Sequence, residues 1–197
     1  MIDALSHLDR ELFLALNGGA YPWLDPVMRT ASLMECWFPL YAFFLLLLQR
    51  RWGWKGLGIS VLSIALMILV ADSGSVVLFK NTVQRLRPCH TADLSGLIHM
   101  GGTECGGRFG FVSSHATNHF AIAVFMIGVL QYVPRWSGIV LIAWAAFVSY
   151  SRIYLGAHYP GDVLVGALYG SLVGFIFFRI FRWAHDHLPL RQGRFAE

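Results

Sequence analysis

Long apolar runs divide this chain. A helix needs about 20 residues to cross a ~30 Å hydrocarbon layer. Five stretches approach that length: residues 31–48, 57–79, 114–133, 136–151 and 161–178. The fourth is short and needs its flanks. Composition points the same way, with hydrophobic residues at 56% and charged residues at 13%; an ordinary soluble domain carries roughly 25% charged residues. Such a chain is neither a soluble globule nor disordered, because disorder needs low hydrophobicity and high charge. A net charge of +4 without a basic stripe makes no case for a nucleic-acid partner. The expected fold is all-α, an integral membrane bundle of about five to six transmembrane helices forming one domain over residues 1–197.

Ahead of the first run, Asp3, His7, Asp9, Arg10 and Glu11 interrupt what a signal peptide would keep apolar. Leu5, Leu8, Leu12, Phe13 and Leu16 recur at helical spacing. This pattern predicts an N-terminal amphipathic helix, lying at the membrane interface or packed on the bundle. In the last run Gly166, Gly170 and Gly174 fall four residues apart, a ridge that lets a second helix approach closely. Cys36 opens an apolar run and reads as a buried small residue.

With five spans, one side holds eight cations: Arg50, Arg51, Lys55, Arg135, Arg179, Arg182, Arg191 and Arg194. The other holds seven: Arg10, Arg29, Lys80, Arg85, Arg87, Arg108 and Arg152. Several of the second group belong to the polar clusters described next and would be held there whatever the topology. Discounting them, the excess of Lys and Arg places the first group in the cytoplasm. Cys89 and Cys105 then share an external loop, where a disulfide between them and two free thiols both fit.

Three polar clusters stand at the span ends. Lys80 and Arg87 follow the second span; if the helix continues, they share one face two turns apart. Two such cations either clamp an anion or snorkel to the membrane surface. Ser113, Ser114 and His115 enter the third span. A helix N-terminus suits a phosphate, although a serine there also serves as a plain cap. Between the fourth and fifth spans lie Arg152, His158 and Asp162, with Pro160 placed to open the fifth helix. An Asp–His pair fixes the imidazole tautomer and frees its other nitrogen to attack, or merely caps the helix. Topology brings all three clusters to one membrane face, and the ligand that suits them jointly is a phosphate.

The pattern K-x6-R-P, S-x-H, S-R-x5-H-x3-D, spread over residues 80–162, resembles the type-2 phosphatidic acid phosphatase superfamily. The resemblance implies that His158 is the nucleophile and forms a phosphohistidine, that Asp162 orients it, and that His115 protonates the departing group. It implies phosphate binding by Lys80, Arg87, Ser113, the Ser114 backbone N–H and Arg152, with no metal and no organic cofactor. The middle motif usually reads P-S-G-H; here it is Val112-Ser113-Ser114-His115, which puts a side chain where backbone nears substrate. The implied activity is that of a lipid phosphatase or diphosphatase in a bacterial cytoplasmic membrane, its site facing outward. Its expected partners are the lipid phosphate or diphosphate and the surrounding lipid. Undecaprenyl diphosphate is the substrate favoured on family grounds, ahead of phosphatidylglycerol phosphate, phosphatidic acid and lipid A. Phosphotransfer to a second lipid is the alternative reaction, and a non-catalytic lipid-phosphate carrier the alternative class. Asp72, inside the second span, is expected to buttress Lys80 or a neighbouring helix.

Overall fold

A computed structural model describes residues 2–19, 21–130 and 134–187. The predicted end of the third span at Val133, and the cations Arg191 and Arg194, lie outside the described residues. The chain is helical: α1 (Ile2–Asn17), α2 (Asp25–Ser32), α3 (Phe38–Gly74), α4 (Asn81–Val83), α5 (Ser114–Val129), α6 (Arg135–Tyr154) and α7 (Pro160–His187). Prolines sit in the first turns of α2, α3 and α7, where a missing N–H costs nothing.

Among the described residues, three stretches are long and apolar enough to cross a membrane: Met34–Val83, Trp136–Tyr154 and Pro160–His187. The first is two passes rather than one. At Gly53 the backbone takes φ 65, ψ −176, a left-handed conformation that glycine adopts without steric cost, and the chain turns back there. Tyr41 and Phe44 of the first arm line one cavity with Ile64, Ile68 and Asp72 of the second. α5 is 16 residues, about 24 Å long. It packs on α3, α6 and α7, most extensively on α7. The core between them includes Leu48, Met67, Phe125, Met126, Val148 and Phe181. Leucines face outward instead, among them Leu62, Leu66 and Leu69 of α3 and Leu164, Leu168 and Leu172 of α7. That is the arrangement lipid requires.

Glycine permits the tightest contact. A Cβ on Gly166 would stand 2.8 Å from the carbonyl oxygen of Ser113, and those on Gly170 and Gly174 would strike the carbonyl oxygens of Thr117 and Ala121. The ridge therefore seats α7 directly on the backbone of α5, which fixes the two helix N-termini side by side.

At that end, α1 and the segment 84–113 close the rim. The apolar stripe of α1 divides: Leu5, Leu8, Leu12 and Leu16 are exposed, whereas Phe13, grouped with them by spacing, is buried together with Asn17. Asn17 donates to the carbonyl oxygens of His99 (2.8 Å), Ile153 (3.1 Å) and Tyr154 (2.7 Å), and accepts from His99 N–H at 2.8 Å. One buried amide thus ties α1 to α6 and to the long loop. The loop is closed by a Cys89–Cys105 disulfide, with Cα atoms 5.9 Å apart. Cys36 is exposed, not buried as its apolar surroundings suggest. It lies in a 3-10 turn, Met34–Trp37, that turns Trp37 inward: the indole N–H donates to the Ala31 carbonyl at 2.9 Å, and the ring meets Trp144 edge-on.

Candidate active site

The cations of the first cluster are not on one helical face. α4 ends at Val83, and Gln84 reverses the chain with φ 50, so Lys80 ends a π-turn while Arg87 belongs to the loop. Arg87 is placed by an antiparallel bridge instead. Leu86 pairs with Phe109, Arg87 N–H donates to Arg108 O at 3.1 Å, and Gly110 N–H donates to Arg85 O at 2.9 Å. A Cβ on Gly110 would lie 3.1 Å from the Arg87 side chain and 3.2 Å from an Asp162 oxygen, so only glycine leaves both in place.

His158 lies in the turn between α6 and α7, buried, with its N–H and that of Ala157 bonded to the Arg152 carbonyl at 3.2 and 2.9 Å. Its two ring nitrogens have distinct neighbours. Nε2 lies 3.1 Å from Arg87 Nη1, which can only donate, so Nε2 is the acceptor and the proton of the neutral ring sits on Nδ1. Nδ1 faces Asp162 Oδ2 at 3.6 Å, an ion-pair separation slightly long for a hydrogen bond. Burial above all pushes the His158 pKa down to about 4; Asp162 pulls against this, and Arg87 and Arg152 add to the shift.

Asp162 is fully buried in the first turn of α7 and held on every side. Oδ2 accepts from Tyr159 N–H at 3.0 Å, Oδ1 accepts from Arg85 at 3.0 Å, and its carbonyl accepts from Ser113 N–H at 3.0 Å. The last bond joins the N-termini of α5 and α7. Ser113 caps α5, its Oγ 3.5 Å from Ala116 N. Ser114, at the position where the resemblance expects glycine, accepts from Lys80 Nζ at 2.7 Å and bonds Ser75 Oγ at 2.8 Å. The departure from the motif therefore adds a hydroxyl that anchors Lys80.

Arg152 Nε, Arg87 Nε and His158 Nδ1 are buried with no hydrogen-bond partner among the described residues. Buried cations normally carry a counter-charge, so the two guanidiniums describe a site built for an anion. The sequence-predicted set thus converges: Arg87 touches His158, Ser113 touches Asp162, Lys80 touches Ser114, and His115 lies within electrostatic range of Arg152 and His158. His115 Nε2 lies 3.2 Å from the carbonyl oxygen of Ser32, which can only accept; the proton is therefore on Nε2, and Nδ1 keeps a lone pair.

From His115 and Ser114 an apolar slot of ≈ 430 Å³ runs between the arms of α3 and α5, walled by Tyr41, Phe44, Leu45, Ile64, Ile68, Ile122 and Met126. Asp72 lies at its polar end, with Asn118 Nδ2 at 3.5 Å from Oδ1. Its observed bond is thus to a neighbouring helix. Two residues of the site carried no assignment from sequence. Arg85 binds Asp162, and Asp9 of α1 binds Arg85 at 2.6 Å. Arg85 could have been suspected as a third cation within the first cluster; nothing local marks Asp9.

Residues 56–186 match the family model of the PAP2 superfamily. Over 181 residues the chain is 38% identical to a lipid A 4'-phosphatase of Bacteroides thetaiotaomicron, covering 91% of this chain and 80% of that one. It is 29% identical to an undecaprenyl-diphosphatase of Sulfolobus acidocaldarius, covering 84% of this chain and 75% of the relative. Among solved structures, a transmembrane PAP2 type phosphatidylglycerolphosphate phosphatase from Bacillus subtilis matches with a TM-score of 0.64 at 25% identity, covering 97% of this chain and 90% of that chain.

Proposed function

The chain belongs to the PAP2 superfamily and is a membrane lipid phosphatase, and we propose that it removes phosphate from a lipid A-type glycolipid at the outer face of a bacterial cytoplasmic membrane. The observation that carries the chemistry is the Arg87 guanidinium 3.1 Å from His158 Nε2, with Arg87 Nε and Arg152 Nε buried and without a partner among the described residues. The apolar slot beginning at His115 supports a lipid leaving group. The choice of lipid rests on the lipid A 4'-phosphatase relative, which matches over 91% of this chain. Undecaprenyl diphosphate, favoured on family grounds alone, is the second reading, supported by the more distant relative of that name. The cationic turn at Arg50, Arg51 and Lys55 and the disulfide at the opposite end support the outward orientation.

The reaction proceeds in two displacements. Arg87, Arg152, Lys80 and Ser113 hold the phosphate oxygens, and the His158 Nε2 lone pair attacks phosphorus in line with the lipid oxygen. The P–O bond breaks as the N–P bond forms, and protonated His115 delivers a proton from Nδ1 to the leaving alkoxide. Asp162 balances the positive charge that develops on the His158 ring. Neutral His115 then takes a proton from water, whose oxygen attacks phosphorus; the N–P bond breaks, and inorganic phosphate leaves. The chain's own cations and imidazoles supply each step.

Phosphate release from lipid A, undecaprenyl diphosphate and phosphatidate, measured with purified protein and a chelator present, tests this reading. Lipid A is expected to turn over fastest, undiminished by the chelator. His158→Ala should release nothing from any substrate. His115→Ala should fail on lipids; on an aryl phosphate, whose phenolate departs without a proton, it should release a burst of about one equivalent of phenol and then stall at the phosphoenzyme. Full lipid turnover by His158→Ala would overturn the mechanism, and preferential turnover of undecaprenyl diphosphate would exchange the substrate.

A further inference from the structure

We propose that Asp9, on the N-terminal helix, is a positioning residue for phosphoryl transfer: by holding Arg85 it sets the charge of Asp162 and, through it, the nucleophilic imidazole of His158. The inference rests on the phosphatase reading above and concerns the same site.

One guanidinium nitrogen, Arg85 Nη1, is shared between two carboxylates, at 2.6 Å from Asp9 Oδ2 and 3.0 Å from Asp162 Oδ1. The shorter contact is with Asp9. The other Asp9 oxygen accepts Gly161 N–H at 2.7 Å, one of the N-terminal donors of α7 that has no partner within the helix. Asp9 therefore grips both Arg85 and the turn that carries Asp162. Gly161 makes this possible, because a Cβ there would stand 2.8 Å from Asp9 Oδ2. Arg85 is fixed from another side by Tyr159, its guanidinium carbon 3.9 Å from the ring centre, and Tyr159 N–H itself donates to Asp162. With side chains 14% and 24% exposed, the Asp9–Arg85 pair is shielded enough for its charges to matter.

Arg85 alone would draw the negative charge of Asp162 away from His158. Asp9 neutralises it and leaves Asp162 free to stabilise the imidazole as Nε2 bonds to phosphorus. The charged and titratable groups facing His158 are Arg87 from the loop, Arg152 from α6, Asp162 from α7 and His115 from α5. Asp9 acts behind them.

The test is steady-state phosphate release by wild type, Asp9→Asn, Arg85→Gln and the double variant, with thermal midpoints measured in the same detergent. Asp9→Asn keeps an acceptor for Gly161 while removing the charge. Its kcat is expected to fall roughly tenfold, the usual scale for a partner that orients a reacting group from behind. KM should stay within about twofold, and the acid limb of kcat should move to lower pH. Adding Arg85→Gln should restore kcat to within about threefold of wild type, since the unbalanced cation is then gone. Wild-type kcat and pH profile in Asp9→Asn would overturn the inference. So would a loss that Arg85→Gln does not relieve and that follows the fall in thermal midpoint. Absence of phosphate release by the unmodified protein would overturn the phosphatase reading itself; normal release with an unaltered Asp9→Asn would overturn only the role of Asp9.

Discussion

In the proposed mechanism His158 must be neutral to attack phosphorus, and its environment keeps it so over a wide range. Its ordinary value of 6.5 is pushed down to about 4 in the folded protein, chiefly by burial. Between these values the unfolded chain binds a proton that the folded one does not. The stability this group contributes is therefore full above pH 6.5 and is lost as pH falls through 4. Chemical denaturation in detergent should show wild type losing more stability than His158→Gln between pH 7 and pH 5. The rate should show no His158-controlled fall near its ordinary value; an acid limb of kcat near pH 6.5 would contradict the assignment. Chemically distinctive residues such as His158, Asp162 and Arg152 were legible in the sequence. The Ser114 hydroxyl on Lys80 and the Asp9–Arg85 pair were not, because each depends on a partner 34 or 76 residues away.

Among the elements, α5 and α7 decide whether the site exists. Their N-termini carry Ser113 and Asp162, joined by one hydrogen bond, and the glycine ridge sets how closely they lie. Gly170→Ala would drive a methyl group into the Thr117 backbone. Overpacking of this kind costs about 1–3 kcal/mol and should lower both the thermal midpoint and kcat. Gly58→Ala is the control, since nothing lies within 4 Å of a Cβ there. Its midpoint should hold or rise by up to ~1 kcal/mol equivalent, as alanine favours a helix. Equal losses in the two variants would show that the ridge does not position the site. Four-residue glycine spacing announced this contact. The end of α4 did not announce itself: no glycine or proline occupies Gln84, and its left-handed turn is imposed by the bridge between Leu86 and Phe109.

The whole molecule has two unlike ends. Lys80, Arg87, Arg152, His158 and the disulfide gather at one. The other holds the turn at Gly53, where Trp52 meets Phe181 and His185 near the C-terminal end of α7. If the site end faces outward, a membrane-impermeant maleimide applied to intact cells expressing a Cys36→Ser variant should label Cys89 and Cys105 only after reduction. Labelling that requires cell lysis would reverse the orientation, and labelling without reduction would leave the two thiols unbonded. α1 belongs to this scale as well. Its outward leucines suit the membrane surface, while Asp9, Phe13 and Asn17 lock it onto the rim, so the two sequence readings of this helix describe its two faces.

Residue types and their periodicity were enough to establish a helical membrane bundle and which polar residues stand at the rim. Lipid forces helices on apolar runs and penalises stray charge, and both constraints act locally along the chain. Distances between segments are another matter. That Arg87 meets His158 from a loop, that Ser113 is bonded to Asp162, that Asp9 closes the network behind them and that Cys36 points outward all depend on how separate helices pack. Such contacts join residues far apart in the chain, and they exist only once glycine ridges, buried amides and the folded-back α3 have brought those residues within reach of one another.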